Sequence, residues 1–223
     1  MSPARRLVIA IDGPAGSGKS TIAARLARKL GYINLESGAM YRALALKALE
    51  RRVSLEDAAA LERLAEDSAM QLEPRGEGNR VVLDGRDVSQ RVREADVTAA
   101  ASRVSVHPQV RRVMVRRQRA LGANGGVVME GRDIGTAVFP DAAVKIFLDA
   151  DPMVRSQRRM RQHRGQDAER VQREIAARDE RDRSRANSPL VPAADAVIVD
   201  TTHKSVDEVV AEVEEIVKRV VSG

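Results

Sequence analysis

The sequence predicts an α/β chain: a parallel sheet flanked by helices, with an inserted unit of helices and a small antiparallel sheet, and a short arginine-rich segment. Three observations carry this expectation. Apolar runs at 7–11, 127–129, 144–148 (broken only by Lys145) and 197–199 alternate with longer amphipathic stretches, as in strands covered on both faces by helices. Between 70 and 92 the runs are shorter and broken by Arg75-Gly76-Glu77-Gly78-Asn79, a loop rich in turn formers, which reads as antiparallel. From Arg155 to Arg185 the chain is dense in arginine, with a break near Gly165.

In chain order, the strand at 7–11 is followed by a glycine-rich turn at 12–18. A helix is expected at 19–30, with Ile22, Leu26 and Leu30 on one face and Gly31 as its stop. A short strand at 32–35 precedes a helix at 38–51, for which Ser37 is either the N-cap or a ligand. The next helix, 54–67, is expected to open on Ser54, with Asp57 completing a capping box. Strand pieces follow at 70–73, 80–84 and 87–92. Helices are expected at 94–104 and at 108–121, the latter with Pro108 at its first turn. Two strands come next, and Asp151-Pro152 opens the arginine-rich helical block. The last strand leads to Ser205 and Glu208, a second capping box, and to an amphipathic helix at 206–220.

Composition narrows the function. The 223 residues are 43% hydrophobic, enough for a sizeable core and too apolar for a disordered chain. There is no cysteine, which excludes a disulfide scaffold and any cysteine-ligated zinc or iron–sulfur centre. No apolar run approaches the ~18–20 residues that span a bilayer. Arg5-Arg6 before the first apolar run faintly resembles a signal sequence, but Asp12 ends that run too early. A cytoplasmic protein is expected. The net charge is +6, and only six of the 38 basic residues are lysine. Such a surplus suits nucleic acid, a membrane surface or small phosphorylated ligands, and the planar guanidinium fork suits the last of these.

Gly13-Pro14-Ala15-Gly16-Ser17-Gly18-Lys19-Ser20 completes the pattern G-x-x-x-x-G-K-[ST] between an expected strand and helix. Glycines allow successive N–H groups to turn inward around phosphate, and the helix start adds its positive dipole end. Lys19 would reach the β- and γ-phosphates, and the Ser20 hydroxyl would ligate Mg²⁺. This is the phosphate loop of a P-loop NTPase, so a nucleoside triphosphate is the expected ligand.

The acceptor must be read elsewhere. Two apolar strands end in acid, at Glu130 and at Asp149, and either could face the loop. Arg132 and Asp133 follow the first at the carboxyl end of its strand, where open α/β sheets bind ligands. Both are candidate site residues.

Taken together, Asp12 to Thr21, Ser37-Gly-Ala-Met-Tyr-Arg42, Glu130-Gly-Arg-Asp-Ile-Gly-Thr136, Ile146 to Ala150, Arg178 to Arg185 and Pro189 to Ala196 resemble the bacterial cytidylate kinases. The likeness runs in register over nearly the whole chain, and the ordered set separates this family from adenylate, guanylate and shikimate kinases. It implies the reaction ATP + (d)CMP → ADP + (d)CDP with Mg²⁺. It implies a core at about 1–36, 113–154 and 175–223, a monophosphate-binding insert at about 37–112 and a lid at about 155–174. By the same resemblance Gly13 to Thr21 and Arg158 would hold ATP. Arg42, Arg132 and Arg185 would hold the acceptor phosphate. Ser37, Ser102, Arg111 and Asp133 would surround the cytosine, with Tyr41 and Gly131 beside them, and Arg178 and Asp182 would contact the sugar. Lys19, Arg132, Arg158 and Arg185 are the expected catalytic set.

The chemistry agrees, because two polyanions brought in line need several cations from different segments. Cytosine carries an amine where uracil carries an oxygen, so a carboxylate at that edge would tell them apart. Other charged residues are expected to be ordinary. Arg155, Arg159 and Arg170 read as a solvated helix face. Arg112, Arg116 and Arg119 share a helix face that could meet nucleic acid, but two Tyr and two Phe give no stacking platform. His107, His163 and His203 show no metal-ligand spacing. ATP and CMP or dCMP are thus the expected partners, with no nucleic acid and no membrane, and the chain is expected to act as a monomer. The rival readings are a kinase for UMP or another small acceptor, and an ATPase stimulated by nucleic acid.

Overall fold

Strand β1 (Val8–Asp12) runs through the centre of a five-stranded, wholly parallel sheet. The computed structural model describes residues 6–76, 78–162 and 167–222. The sheet is completed by β2 (Ile33–Glu36), β6 (Val127–Glu130), β7 (Val144–Asp149) and β8 (Val197–Asp200), in the order β2-β6-β1-β7-β8. Period-two alternation sorts the side chains. Ile9 and Ile11 of β1 face α1 (Lys19–Leu30) and α8 (Val206–Ser222), and are buried with Ile22, Leu26, Val209 and Val213. Ala10 faces the other way, into a cluster with Leu35, Met129, Ile134 and Val138. The runs of β1 and β6 are apolar without a break because both faces are covered. β2 and β8 are the two edges, and only Val199 of the apolar residues of β8 is buried.

Residues 37–112 form most of a separate apolar cluster. Helices α2 (Ser37–Glu50), α3 (Ala58–Glu66), α4 (Ala95–Val104) and α5 (Pro108–Gly122) enclose Leu44, Leu61, Val97 and Met114, with Leu83 from the small sheet. That sheet has β3 (Met70–Arg75), β4 (Gly78–Leu83) and β5 (Arg86–Asp87) in antiparallel order. Asn79 ties it to the main sheet: its amide accepts from Glu36 N at 2.8 Å and donates to the Asn34 carbonyl at 2.8 Å. Helices α6 (Pro152–Gln162) and α7 (Ala168–Ser184) cover the opposite side of the cleft. His163, Arg164 and the break expected near Gly165 lie outside the described residues. Among the described residues, no helix is long and apolar enough to cross a membrane.

Several local expectations need correction. Helix α3 starts at Ala58, and its cap is Asp57, whose carboxylate accepts from Ala60 N at 2.9 Å. Ser54 instead accepts from Glu56 N at 3.3 Å in the turn before it, because a carboxylate was already placed to cap the helix. Ser37 is the first residue of α2 and not its N-cap, a position held by Glu36. The strand expected at 87–92 shrinks to Arg86–Asp87, since Arg91–Arg93 turns into a short 3-10 helix. Asp84-Gly85-Arg86-Asp87 is a hairpin turn, with Asp84 and Gly85 at φ 49° and 80°, and has nothing in common with the later Glu130-Gly-Arg-Asp133. The capping box of Ser205 and Glu208 forms as expected, at 2.7 and 3.3 Å.

Candidate active site

The carboxyl ends of β1, β2 and β6 open into a cleft of about 1190 Å³. On one wall is the loop after β1. Gly13, Gly16 and Gly18 have φ of 146°, 77° and 97°, a region that costs glycine nothing. A Cβ at Gly13 would also sit 2.0 Å from the Leu148 carbonyl oxygen, so no side chain fits where the loop crosses β7. Lys19 folds back over the loop and donates to the Pro14 carbonyl at 2.7 Å. Burial, helped by Arg132 and Arg178, pulls its ammonium down to about 7, against the pull of Glu130 and Asp179. Ser20 donates its hydroxyl to Glu130 Oε1 at 2.7 Å.

Glu130 therefore faces the loop, while Asp149 accepts from its own neighbour Ala150 N at 2.9 Å. Glu130 lies beside Glu36, its register partner on β2. Burial, and then Glu36, push the Glu130 carboxyl above its ordinary range. Burial would raise Glu36 as well, but the adjoining Arg42, bonded at 2.6 Å, outweighs it and holds that group low. Ser20 and Glu130 are hard oxygen donors, the kind magnesium takes. Among the described residues, no cluster of three or more acidic or imidazole groups could hold an ion alone. This fits a metal that keeps its waters and shares a substrate's phosphates.

The other wall is arginine from several segments. Arg132 donates to Asp182 Oδ2 at 2.9 Å, and Arg178 and Arg185 flank the same carboxylate at 4.0 and 3.6 Å. Burial pushes Asp182 up, but Arg132, Arg178 and Arg185 together keep it ionised and below the usual carboxylate range. Arg178, buried beside Arg132, falls to about 10. Arg111 pairs with Asp133 and lies 5.6 Å above the Tyr41 ring. Burial raises the Tyr41 phenol to about 12. Ser102 accepts from Arg181 Nε at 3.0 Å. Gly131 is required by crowding, since a Cβ there would lie 2.5 Å from Ser37 Oγ.

Among the described residues, four buried guanidinium nitrogens have no hydrogen-bond partner: Arg42 Nε, Arg111 Nε, Arg178 Nε and Arg185 Nη2. All four residues line the cleft, and Arg132 lines it with them. Guanidinium groups gathered from four segments on one cleft suit it to an anion such as phosphate.

Every expected site residue lines this cleft except Gly13 and Pro14, which lie beneath the loop. Arg158 lines it too, with its guanidinium held by Thr201 at 2.8 and 2.6 Å. Two arginines expected on a solvated face lie elsewhere. Arg159 is half-buried and lines the cleft, because α6 turns that face inward. Arg155 is 4% exposed and pairs with Asp179. Arg170 is solvated, paired with Glu174 at 2.9 Å. Arg112 and Arg116 reach Glu62 and Glu66 of α3, and Arg119 binds the Val138 carbonyl at 2.8 Å.

Sequence reasoning missed Asp12, Glu36, Asp179, Arg181 and Thr201. Asp12 is 5% exposed and accepts from Ile134 N and Gly135 N at 2.8 and 2.7 Å, tying the loop strand to the segment after Arg132-Asp133. Burial raises its carboxyl to about 6 despite those two N–H groups. The available signal for Glu36 was an acid closing an apolar strand, the same signal that Glu130 gave.

A phosphate loop at the end of a central parallel strand, facing a wall of arginines, defines a P-loop kinase. A family model described as cytidylate kinase matches residues 9–219. The chain is 50% identical over 217 residues to a cytidylate kinase of Geobacillus kaustophilus (strain HTA426), covering 96% of this chain and 97% of that one. It is 49% identical over 210 residues to a cytidylate kinase of Aeromonas salmonicida (strain A449), covering 92% and 91%. The chain belongs to the cytidylate kinase family. Its fold is shared with an uncharacterized protein from Eubacterium ventriosum ATCC 27560, at TM-score 0.52 and 14% identity over 98% and 99% of the two chains.

Proposed function

We propose that the chain transfers the γ-phosphoryl group of ATP to CMP and dCMP, giving ADP with CDP or dCDP. The observation that carries this reading is the gathering of Arg42, Arg111, Arg132, Arg178 and Arg185 in one cleft with a phosphate loop, large enough for two nucleotides. The family and its relatives supply the nucleobase.

In this reading the backbone N–H groups of Gly16 to Thr21 cradle the donor phosphates, with Gly13, Pro14 and Ala15 shaping the turn. Lys19 neutralises charge on the transferred group, and Arg158 and Arg159 approach from α6. Arg42, Arg132 and Arg185 bind the acceptor phosphate, and Arg178 and Asp182 the sugar. Ser37, Ser102, Arg111 and Asp133 read the base, against Tyr41 and Gly131. Catalysis is then positioning plus cancellation of charge, and Lys19, Arg132, Arg158 and Arg185 carry it. Magnesium brought with ATP would be held through Ser20, with Glu130 behind it, and would neutralise oxygens of the β- and γ-phosphates. Residues 37–112 would act as the acceptor-binding insert and about 155–174 as the lid, over a core of about 1–36, 113–154 and 175–223. A monomer in the cytoplasm, with neither nucleic acid nor membrane as partner, completes the reading.

A coupled assay of ADP formation across CMP, dCMP, UMP, AMP and GMP tests it. CMP and dCMP should be the best acceptors. Equal rates with UMP, or ATP hydrolysis driven by RNA instead of by a monophosphate, would sink the assignment.

A further inference from the structure

Gly16 occupies a free position of the phosphate-loop pattern, yet a Cβ there would meet the Arg155 carbonyl oxygen at 2.7 Å and the Arg155 Cβ at 3.0 Å. The start of α6 thus lies directly on the loop. Arg155 and Asp179 are 4% and 3% exposed, pair with each other, and do not line the cleft. Between them they grip one residue of the loop at both ends. Ala15 donates its N–H to Asp179 Oδ1 at 3.1 Å, and its carbonyl accepts from Arg155 Nη1 at 3.0 Å. Arg155 Nε is used as well, donating to the Ala150 carbonyl at 3.1 Å, just past β7. A closed ring therefore joins the apex of the loop, the first turns of α6, and α7. Helix α7 presents Arg178 and Asp182 to the cleft, and Arg185 follows at its C-cap.

We infer that the Arg155–Asp179 pair is a positioning device that locks the backbone on both sides of Ala15 to α7, so that occupation of the acceptor wall tightens binding at the phosphate loop. The inference rests on the reading of the two walls given above. Mere stability is a poor account of such a pair, because two buried charges gain little over apolar groups of similar shape. What the pair supplies is direction. A carboxylate on the N–H of the Pro14–Ala15 peptide and a guanidinium on the carbonyl of the Ala15–Gly16 peptide fix both planes that flank Ala15, and the N–H groups that follow in the loop are aimed by them. Because α7 holds the carboxylate, any shift of α7 toward an acceptor is passed to Ala15. By linkage the effect is the same in both directions.

The test uses the full chain and β,γ-imido-ATP, titrated calorimetrically with and without CMP. In the wild type CMP should tighten analogue binding. Asp179→Asn, and the double variant Arg155→Met/Asp179→Leu, should weaken analogue binding by about tenfold, the size of one buried charge-assisted hydrogen bond. Both should bring the CMP effect close to none, and KM for ATP should rise more than kcat falls. The double variant leaves no unpaired buried charge, so it keeps the fold if Asp179→Asn does not. Val213→Ala, buried in α8 away from the cleft, is a control that lowers Tm without moving these constants. The inference is overturned if wild-type affinity ignores CMP, if both variants bind as the wild type does, or if Val213→Ala shifts the constants equally. A wild type that makes no ADP in response to CMP refutes the proposed reaction instead. Analogue affinity of the double variant then decides alone, and an unchanged value overturns the lock.

Discussion

The two walls of the cleft are built on opposite plans. The wall proposed for the donor is one contiguous segment that offers main-chain N–H groups, and its key positions lack side chains: Gly13, Gly16 and Gly18. The wall proposed for the acceptor is drawn from α2, α4, α5, the turn after β6, and α7 with its C-cap, and offers long cations. A backbone site is closed to added Cβ atoms by contact at Gly13 and Gly16 and by φ at Gly18, but reads little beyond phosphate. A side-chain site is assembled at greater cost, since each cation must be desolvated, and it can discriminate among acceptors.

The largest test of this contrast is Lys19, the cation of the phosphate loop itself. Lys19→Met should lower kcat by about a thousandfold, as loss of a preorganised charge at the reacting group does, while CMP still binds. A loss under tenfold would mean that the arginines neutralise the transferred group without it. Next, Arg132→Met should lower kcat/KM for CMP by about a hundredfold in steady-state kinetics. Its affinity for the ATP analogue should stay within a few fold, and an equal loss at both substrates would erase the division between walls.

Asp133→Asn should cost about tenfold in the preference for CMP over UMP, since the amide can offer a donor to the uracil oxygen. Asparagine is preferable to alanine because it leaves an oxygen to accept from Arg111 Nη2, which Asp133 now answers. An unchanged ratio would move base reading elsewhere. A smaller effect is pH. Free Lys19 has been drawn down to about 7, so it loses its proton as pH rises through that value, and a bound polyphosphate favours the charged form. ATP binding above pH 7 should take up a proton and weaken by at most about tenfold per unit. Calorimetry at pH 6.5 to 8.5 in two buffers of different ionisation enthalpy checks this, and a flat affinity without proton uptake contradicts it. Least of all, Arg116→Ala, exposed and paired with Glu66, should change stability by under about 1 kcal/mol in denaturant melts and leave kinetics alone.

The same contrast explains what could be read before the fold was known. The donor loop was legible because its physics is local: glycines, a lysine and a hydroxyl at fixed offsets between a strand and a helix. The parallel strands were legible because burial on both faces writes apolar runs. Arg132 and Asp133 followed from their place after such a strand. Other residues act only through distant partners. Asp12 matters because β1 neighbours β6, so that its carboxylate reaches Ile134 and Gly135. Arg155 looked like one more solvated arginine because nothing in a charge-dense helix tells which turn rests on a loop 140 residues earlier. Ser54 was preferred to Asp57 as a cap because either residue satisfies the pattern, and only the turn before α3 decides.

The arginines gathered on the cleft have one more consequence, for the lifetime of the chain. A nucleotide that binds only the folded chain stabilises it, and at 100 times its Kd adds about 2.7 kcal/mol to folding. A protein whose spare stability comes from its own substrates resists heat and proteolysis in proportion to their supply. Its abundance should fall when pyrimidine nucleotides run short, with no regulator beyond the occupancy of the cleft.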